Sequence, residues 1–310
     1  MMKKGIYIFI FVLANFISWS SYAQGYNKYC AYADYANTAY EREQIEMAIS
    51  LMDSAIKNCP EQADNVVNWF NYALFNKQLA KQTNDLKLRE KTLFSILKAR
   101  ELDINNEYED NINKVIKNVA FYYRNKAIKV LDDTSSNFSE SITNYTKYKE
   151  ILVEADADYS FIKEDIGFYN VLAKRNLIKY RNDETLYKNH LDSSILCYKK
   201  VIGLDSTRVD AYLELAIVYF NEAIELVNKL DVDADLYELI AIDERKAELA
   251  LLSIPLLKRV LKLEPENAKS IYSLAACYKL ITLEEEANKY LELLKEVDLE
   301  YYNEIYITKP

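Results

Sequence analysis

Large and small side chains recur along this chain with the period of an α-helix. Six times a large residue is followed three places later by another, then at once by Ala, then by a further residue three places on. The instances are Tyr32-Tyr35-Ala36-Ala39, Trp69-Tyr72-Ala73-Asn76, Ile116-Val119-Ala120-Tyr123, Tyr169-Leu172-Ala173-Asn176, Tyr212-Leu215-Ala216-Tyr219 and Ile271-Leu274-Ala275-Tyr278. Offsets of three, four and seven set all four side chains on one helical stripe. At Ala36, Ala73, Ala120, Ala173, Ala216 and Ala275 a second helix can approach closely. A second amphipathic segment follows each stripe and carries a small residue of its own on its face: Ala48-Met52-Ala55, Thr92-Ile96-Ala99, Ser141-Tyr145-Tyr148, Ser194-Tyr198-Val201, Ser253-Leu257-Val260 and Ala287-Leu291-Leu294. Small against small lets two antiparallel helices nest. One such pair cannot bury its apolar face alone, so the pattern predicts an all-α stack of about six helical hairpins in series.

The predicted units span about 28–60, 63–104, 108–154, 159–204, 207–264 and 266–298, with a tail at 301–310. The stripe alanines lie 37 to 59 residues apart, so the repeat is irregular. The longest insertion follows Tyr219. There a helix runs to about Lys229, Asp231-Val232-Asp233-Ala234-Asp235 turns the chain, and a long helix runs from about Leu236 to Leu263, with a kink expected at Pro255. Asp132-Asp133-Thr134-Ser135-Ser136 and Asp156-Ala157-Asp158 read as turns. Asp205-Ser206-Thr207 supplies capping oxygens, and Leu263-Glu264-Pro265-Glu266-Asn267 closes one helix and opens the next. No linker rich in Gly, Pro or Ser divides the chain, which reads as one domain over 24–300.

These residues resemble the tetratricopeptide repeat (TPR) family in its exported bacterial form. The likeness is strongest over 191–298, where Tyr212-Leu215-Ala216-Tyr219, Ile271-Leu274-Ala275-Tyr278, Leu257, Val260, Pro265, Ala287, Leu291 and Leu294 fill the family's positions. It weakens over 105–190. The resemblance implies a right-handed α-α superhelix whose concave groove, lined by the first helix of each hairpin, binds a peptide or protein surface. Asn37, Asn71, Asn118 and Arg175 are first-helix polar residues that could face it. The basic and amide clamp with which some members hold a terminal carboxylate is not recognisable.

Composition narrows the field. Only 4 Gly and 4 Pro occur among 310 residues, which disfavours hairpin-rich β folds and phosphate-cradling loops. The charge is −9, and removing residues 1–23, with Lys3 and Lys4 and no acid, leaves −11. That balance argues against nucleic acid as a partner. Met-Met-Lys-Lys, an apolar run over 6–17 and Ser21-Tyr22-Ala23 describe a signal peptide at 1–23. The mature chain is then expected without membrane insertion, in the periplasm or else outside the cell.

Catalytic candidates are sparse. The single His, His190, reads as a surface or capping residue, and metal sites need more ligands at close spacing. The segment from Asp231 lacks the Gly and Glu of a calcium loop. Glu284-Glu285-Glu286 reads as a solvated face. Cys30 lies near the start of the first helix and Cys59 ends its partner; in an antiparallel hairpin turning near Glu41 to Glu43 the two lie side by side, and an oxidising compartment permits a disulfide. Cys197 and Cys277 fall on apolar faces as free thiols. The reading is a non-catalytic, cofactor-free scaffold for a protein or peptide. The alternatives are a structural subunit of a secretion or surface complex, or an all-helical hydrolase with paired carboxylates.

Overall fold

A computed structural model describes residues 30–133, 138–230 and 235–306. The signal peptide expected at 1–23, residues 134–136 of the expected Asp132–Ser136 turn and most of the Asp231–Asp235 turn lie outside them. The described residues form fourteen helices: α1 Tyr32–Glu41, α2 Ile45–Asn58, α3 Pro60–Ala63, α4 Val66–Thr83, α5 Leu86–Leu102, α6 Glu109–Asp132, α7 Phe138–Ala155, α8 Ile162–Asn182, α9 Lys188–Leu204, α10 Val209–Asn228, α11 Leu236–Leu263, α12 Ala268–Leu280, α13 Glu284–Val297 and α14 Leu299–Tyr306. The fold class is all-α.

The chain divides into two compact units. Unit 1 holds residues up to 127 together with 142–159; unit 2 holds 128–141 and 160 onward. In unit 1, α1 packs on α2, α2 on α4 and α4 on α5. The pairing of α6 with α7 shows in Phe121 stacked near Tyr148, ring centroids 6.2 Å apart. In unit 2 each helix from α8 to α14 packs on the next. Within each unit a hairpin therefore covers a face its predecessor leaves open, as a serial stack requires.

All six stripe alanines are fully buried. The seam is tight enough at Ala216 that the Ser253 hydroxyl donates to its carbonyl at 2.9 Å. Burial of apolar area drives this assembly, and local capping sets where helices begin. Asn65 accepts from Val67 N at 2.8 Å, Asp85 from Lys87 N at 2.7 Å, Asp235 from Glu238 N at 2.9 Å and Asn267 from Ser270 N at 3.0 Å. Each satisfies a backbone donor that the helix leaves open. With glycine so scarce, Glu43, Asn84, Asn106 and Thr282 take the left-handed positions of turns, at φ between 56 and 61°. Thr282 is the most strained of these because its Cβ is branched.

A second regularity involves four of the stripe tyrosines. In four successive hairpins a cation of the second helix lies over a first-helix ring: Lys91 over Tyr72 at 4.8 Å, Lys147 over Tyr123 at 5.0 Å, Lys200 over Tyr169 at 3.9 Å and Arg259 over Tyr212 at 5.9 Å. Each contact adds a cation–π attraction across the seam.

Several expectations need revision. Tyr32 and Tyr35 are 41% and 61% exposed, and α1 buries Ala33, Ala36 and Ala39 instead. Among the described residues no helix precedes α1, so the face that an earlier hairpin would cover stays open. Asp205 does not cap α10. Its carboxylate accepts from Thr207 N at 2.9 Å and Thr207 Oγ1 at 2.6 Å, closing the turn, while Arg208 is the uncapped N-terminal residue. Part of the expected tail is helical as α14. Its Tyr301 lies edge-on to Tyr272, centroids 6.1 Å apart. Helix α11 continues through Pro255.

Candidate functional site

Unit 1 carries a cleft of about 690 Å³ built from α1, α4, α5 and α6. Its floor is apolar, from Tyr40, Leu74 and Val119; its polar lining is Lys77, Gln78, Lys81, Gln82, Arg89, Thr92 and Asn118. Three cations and no carboxylate line it, in a chain whose net charge is −9. Lys77 and Gln78 recur as Lys81 and Gln82 four places on, so both pairs stand on one side of α4.

Neighbouring contacts hold this wall in place. Tyr40 stacks on Phe75, centroids 4.5 Å apart, and its hydroxyl donates to Gln78 Oε1. Arg89 donates to the Ala80 carbonyl at 3.1 Å, near the C-terminal end of α4 where a cation is favoured. Its guanidinium lies 3.6 Å from the centroid of the Tyr122 ring. Arg89 is thus fixed by hydrogen bonding and stacking, whereas Lys77 and Lys81 are the flexible cations of the wall.

The first-helix candidates part ways. Asn118 lines the cleft, and its amide donates to the Lys114 carbonyl at 2.8 Å. Asn71 donates to Asn37 Oδ1 at 3.1 Å, linking α4 to α1. Arg175 pairs with Asp132 at 3.2 Å. Lys77, Lys81 and Arg89 were not among the candidates, although the Lys-Gln recurrence on α4 is visible in the sequence.

Unit 2 has a cleft of different character. About 420 Å³ in volume, it is lined by Leu177, Tyr180, Arg181, Glu184, Val218, Asn221, Glu222, Ile224 and Glu225. Glu222 accepts the Tyr180 hydroxyl at 2.9 Å. Burial holds the Glu222 carboxyl above the usual carboxylate range, and the charges of Glu184 and Glu225 add to that. Lys229 pairs with Glu184 and lies 3.9 Å from Glu225.

Cys30 and Cys59 form a disulfide pair with Cα atoms 6.1 Å apart. Gln62 accepts from Ala33 N at 3.2 Å and donates to the Cys30 carbonyl beside it. Cys197 and Cys277 are free; Cys277 is fully buried and Cys197 only partly. Burial pushes both thiols up to about 11. His190 caps no helix; it is half-buried, its ring bonded to Asn176 and packed against two aromatic rings. No group of three His, Cys, Asp or Glu suited to a metal ion occurs among the described residues. No helix among them is long and apolar enough to cross a membrane.

Six hairpins with a buried alanine in every first helix, stacked in series within each unit, decide the architecture. The fold is TPR-like. No protein-family model and no curated protein matches the sequence. Among solved structures, MamA protein is similar at 13% identity, over 89% of this chain and 93% of that one, with a TM-score of 0.29. The TPR2AB domain of yeast Sti1 in complex with pHSP90 is 14% identical over 88% and 91%, TM-score 0.29. A monomeric IFIT1 mutant with Gppp-AAAA is 14% identical over 81% of this chain and 46% of that one, TM-score 0.34. These TM-scores are low, so the fold stands on the hairpin packing and nothing these proteins hold is transferred to this chain.

Proposed function

We propose that this chain is a non-catalytic protein-interaction scaffold, exported to the cell envelope, whose unit 1 cleft takes an acidic peptide segment of a partner. The observation that carries this reading is the set Lys77, Lys81 and Arg89 around an apolar floor with no carboxylate in the lining. A peptide of alternating acidic and apolar residues satisfies both features: its carboxylates pair with the lysines and its apolar side chains cover Leu74 and Val119. The amides of Gln78, Gln82 and Asn118 can bond its backbone. Rim charges of this kind govern the encounter rate and the choice of partner more than raw affinity. The N-terminal residues support export, and the Cys30–Cys59 pair suits an oxidising compartment.

Fluorescence polarisation with a labelled Glu-rich peptide and its Gln-substituted counterpart tests the reading. The acidic peptide is expected to bind more tightly, with affinity falling as salt rises. Lys77→Glu with Lys81→Glu should weaken it by about tenfold or more, equivalent to about 1.4 kcal/mol. Equal binding of both peptides, or no loss in the double variant, rejects the acidic-peptide assignment.

A further inference from the structure

Away from the clefts, unit 2 gathers the only histidine of the chain into a compact cluster. Asn176 on α8 is 3% exposed, and its Nδ2 donates to the Leu172 carbonyl at 2.8 Å. Its Oδ1 therefore faces His190 Nδ1, 2.6 Å away, as an acceptor. The imidazole must donate from Nδ1, which leaves the lone pair on Nε2. The ring stands edge-on to Phe138 at 5.8 Å and to Tyr187 at 5.7 Å. Those same two rings each lie 5.2 Å from the ammonium of Lys179. Phe138, in the first turn of α7, is 3% exposed, and Lys179 is 9% exposed. Two aromatic rings thus serve one cation and one neutral imidazole.

We propose that this cluster is an acid-released clasp on the first turn of α7. A proton taken from solvent at Nε2 makes His190 a second cation beside Lys179. The two then compete for the same rings in a partly desolvated site, where like charges repel more strongly than in water. His190 also sits in the first turn of α9, whose dipole opposes a positive charge. Lys179 is the charge acting on the imidazole. Tyr187 from the turn is the other titratable group in contact, and α7 presents the uncharged Phe138 ring.

Burial first, and Lys179 second, hold the imidazole below its usual range. The unfolded chain therefore binds the proton better than the folded one, and stability rises with pH in the window between the two values. The clasp is whole above the unfolded value of about 6.5 and weakens as pH falls from there through the lower folded value. What it releases is the seat of Phe138.

The test uses the full chain. With one histidine, proton NMR reads a single imidazole titration, and hydrogen exchange at residues 142–145, whose amides bond to the carbonyls of the first turn of α7, reads the clasp. The imidazole midpoint is expected below that of a free histidine, with exchange at 142–145, corrected for its intrinsic pH dependence, rising severalfold as pH falls through it. Lys179→Met should move the midpoint upward. In His190→Gln, with folding verified by circular dichroism, exchange corrected for its intrinsic pH dependence should not respond to pH in this window. Exchange that ignores the imidazole midpoint, or an identical acid response in His190→Gln, overturns the clasp. Should His190→Gln not fold, an unmoved midpoint in Lys179→Met overturns it equally.

Discussion

The ammonium of Lys91 on α5 stands 3.1 Å from each carboxylate oxygen of Asp53 on α2. The same carboxylate accepts the hydroxyl of Tyr72 from α4. Three helices from two successive hairpins thus meet on one side chain, and Lys91 also lies over the Tyr72 ring. Burial first, and Asp53 second, hold the Tyr72 phenol above the ordinary tyrosine range. Asp53→Ala strands a hydroxyl on a residue only 3% exposed and should cost about 1–3 kcal/mol in urea unfolding. In a Tyr72→Phe background the same change should cost less. Lys91→Ala should cost about 1 kcal/mol or less, because that ion pair is open to solvent.

The Cys30–Cys59 bridge closes a sequence separation of 29 residues. In the chain-entropy model a loop of that length contributes about 3–4 kcal/mol. Reduction should raise hydrogen exchange across α1 and α2 and leave α12 and α13 unchanged. Non-reducing peptide mapping of protein purified from an oxidising compartment should recover the 30–59 linked peptide. Two free thiols there would remove the bridge.

At the Ala216 seam the Ser253 hydroxyl donates directly to the Ala216 carbonyl, and both residues are fully buried. A larger side chain must push α10 from α11. Ala216→Leu should cost about 1–3 kcal/mol through overpacking, whereas Ala216→Gly should cost about 1 kcal/mol through helix propensity alone. Thermal melts of the two variants separate seam packing from helix formation.

With the Cys277 thiol pushed up to about 11 by burial, roughly one molecule in a thousand carries the thiolate at pH 8. Iodoacetamide should therefore leave Cys277 unmodified in the folded protein and label it in urea. Cys197, partly exposed but with its thiol also at about 11, should react slowly in the folded state. Rapid native labelling of Cys277 would contradict its burial.

Much of the fold was legible. The bounds of α11 at Leu236 and Leu263 and the six buried alanines follow from short-range periodicity, and the start of α12 follows from Asn267 beside Pro265. The exposure of Tyr35 was not legible, because it depends on whether another hairpin lies outside α1. The bond between His190 and Asn176 was not legible either, since residues fourteen apart in sequence meet only where α8 and α9 cross. The same limit hid the cleft. The recurrence of Lys77 and Lys81 marks one side of α4, but only packing brings Arg89 and Asn118 to that side.

Residue order alone settled that the six stripe alanines turn inward, because helical period and side-chain size act over a few residues and the drive to bury apolar area is the same wherever a partner helix arrives. Tertiary structure decided which polar groups converge, among them the cations around the unit 1 cleft and the ring pair shared by Lys179 and His190. Such meetings depend on the relative rotation and sliding of whole helices, which the summed packing of every seam sets and no local stretch of sequence encodes.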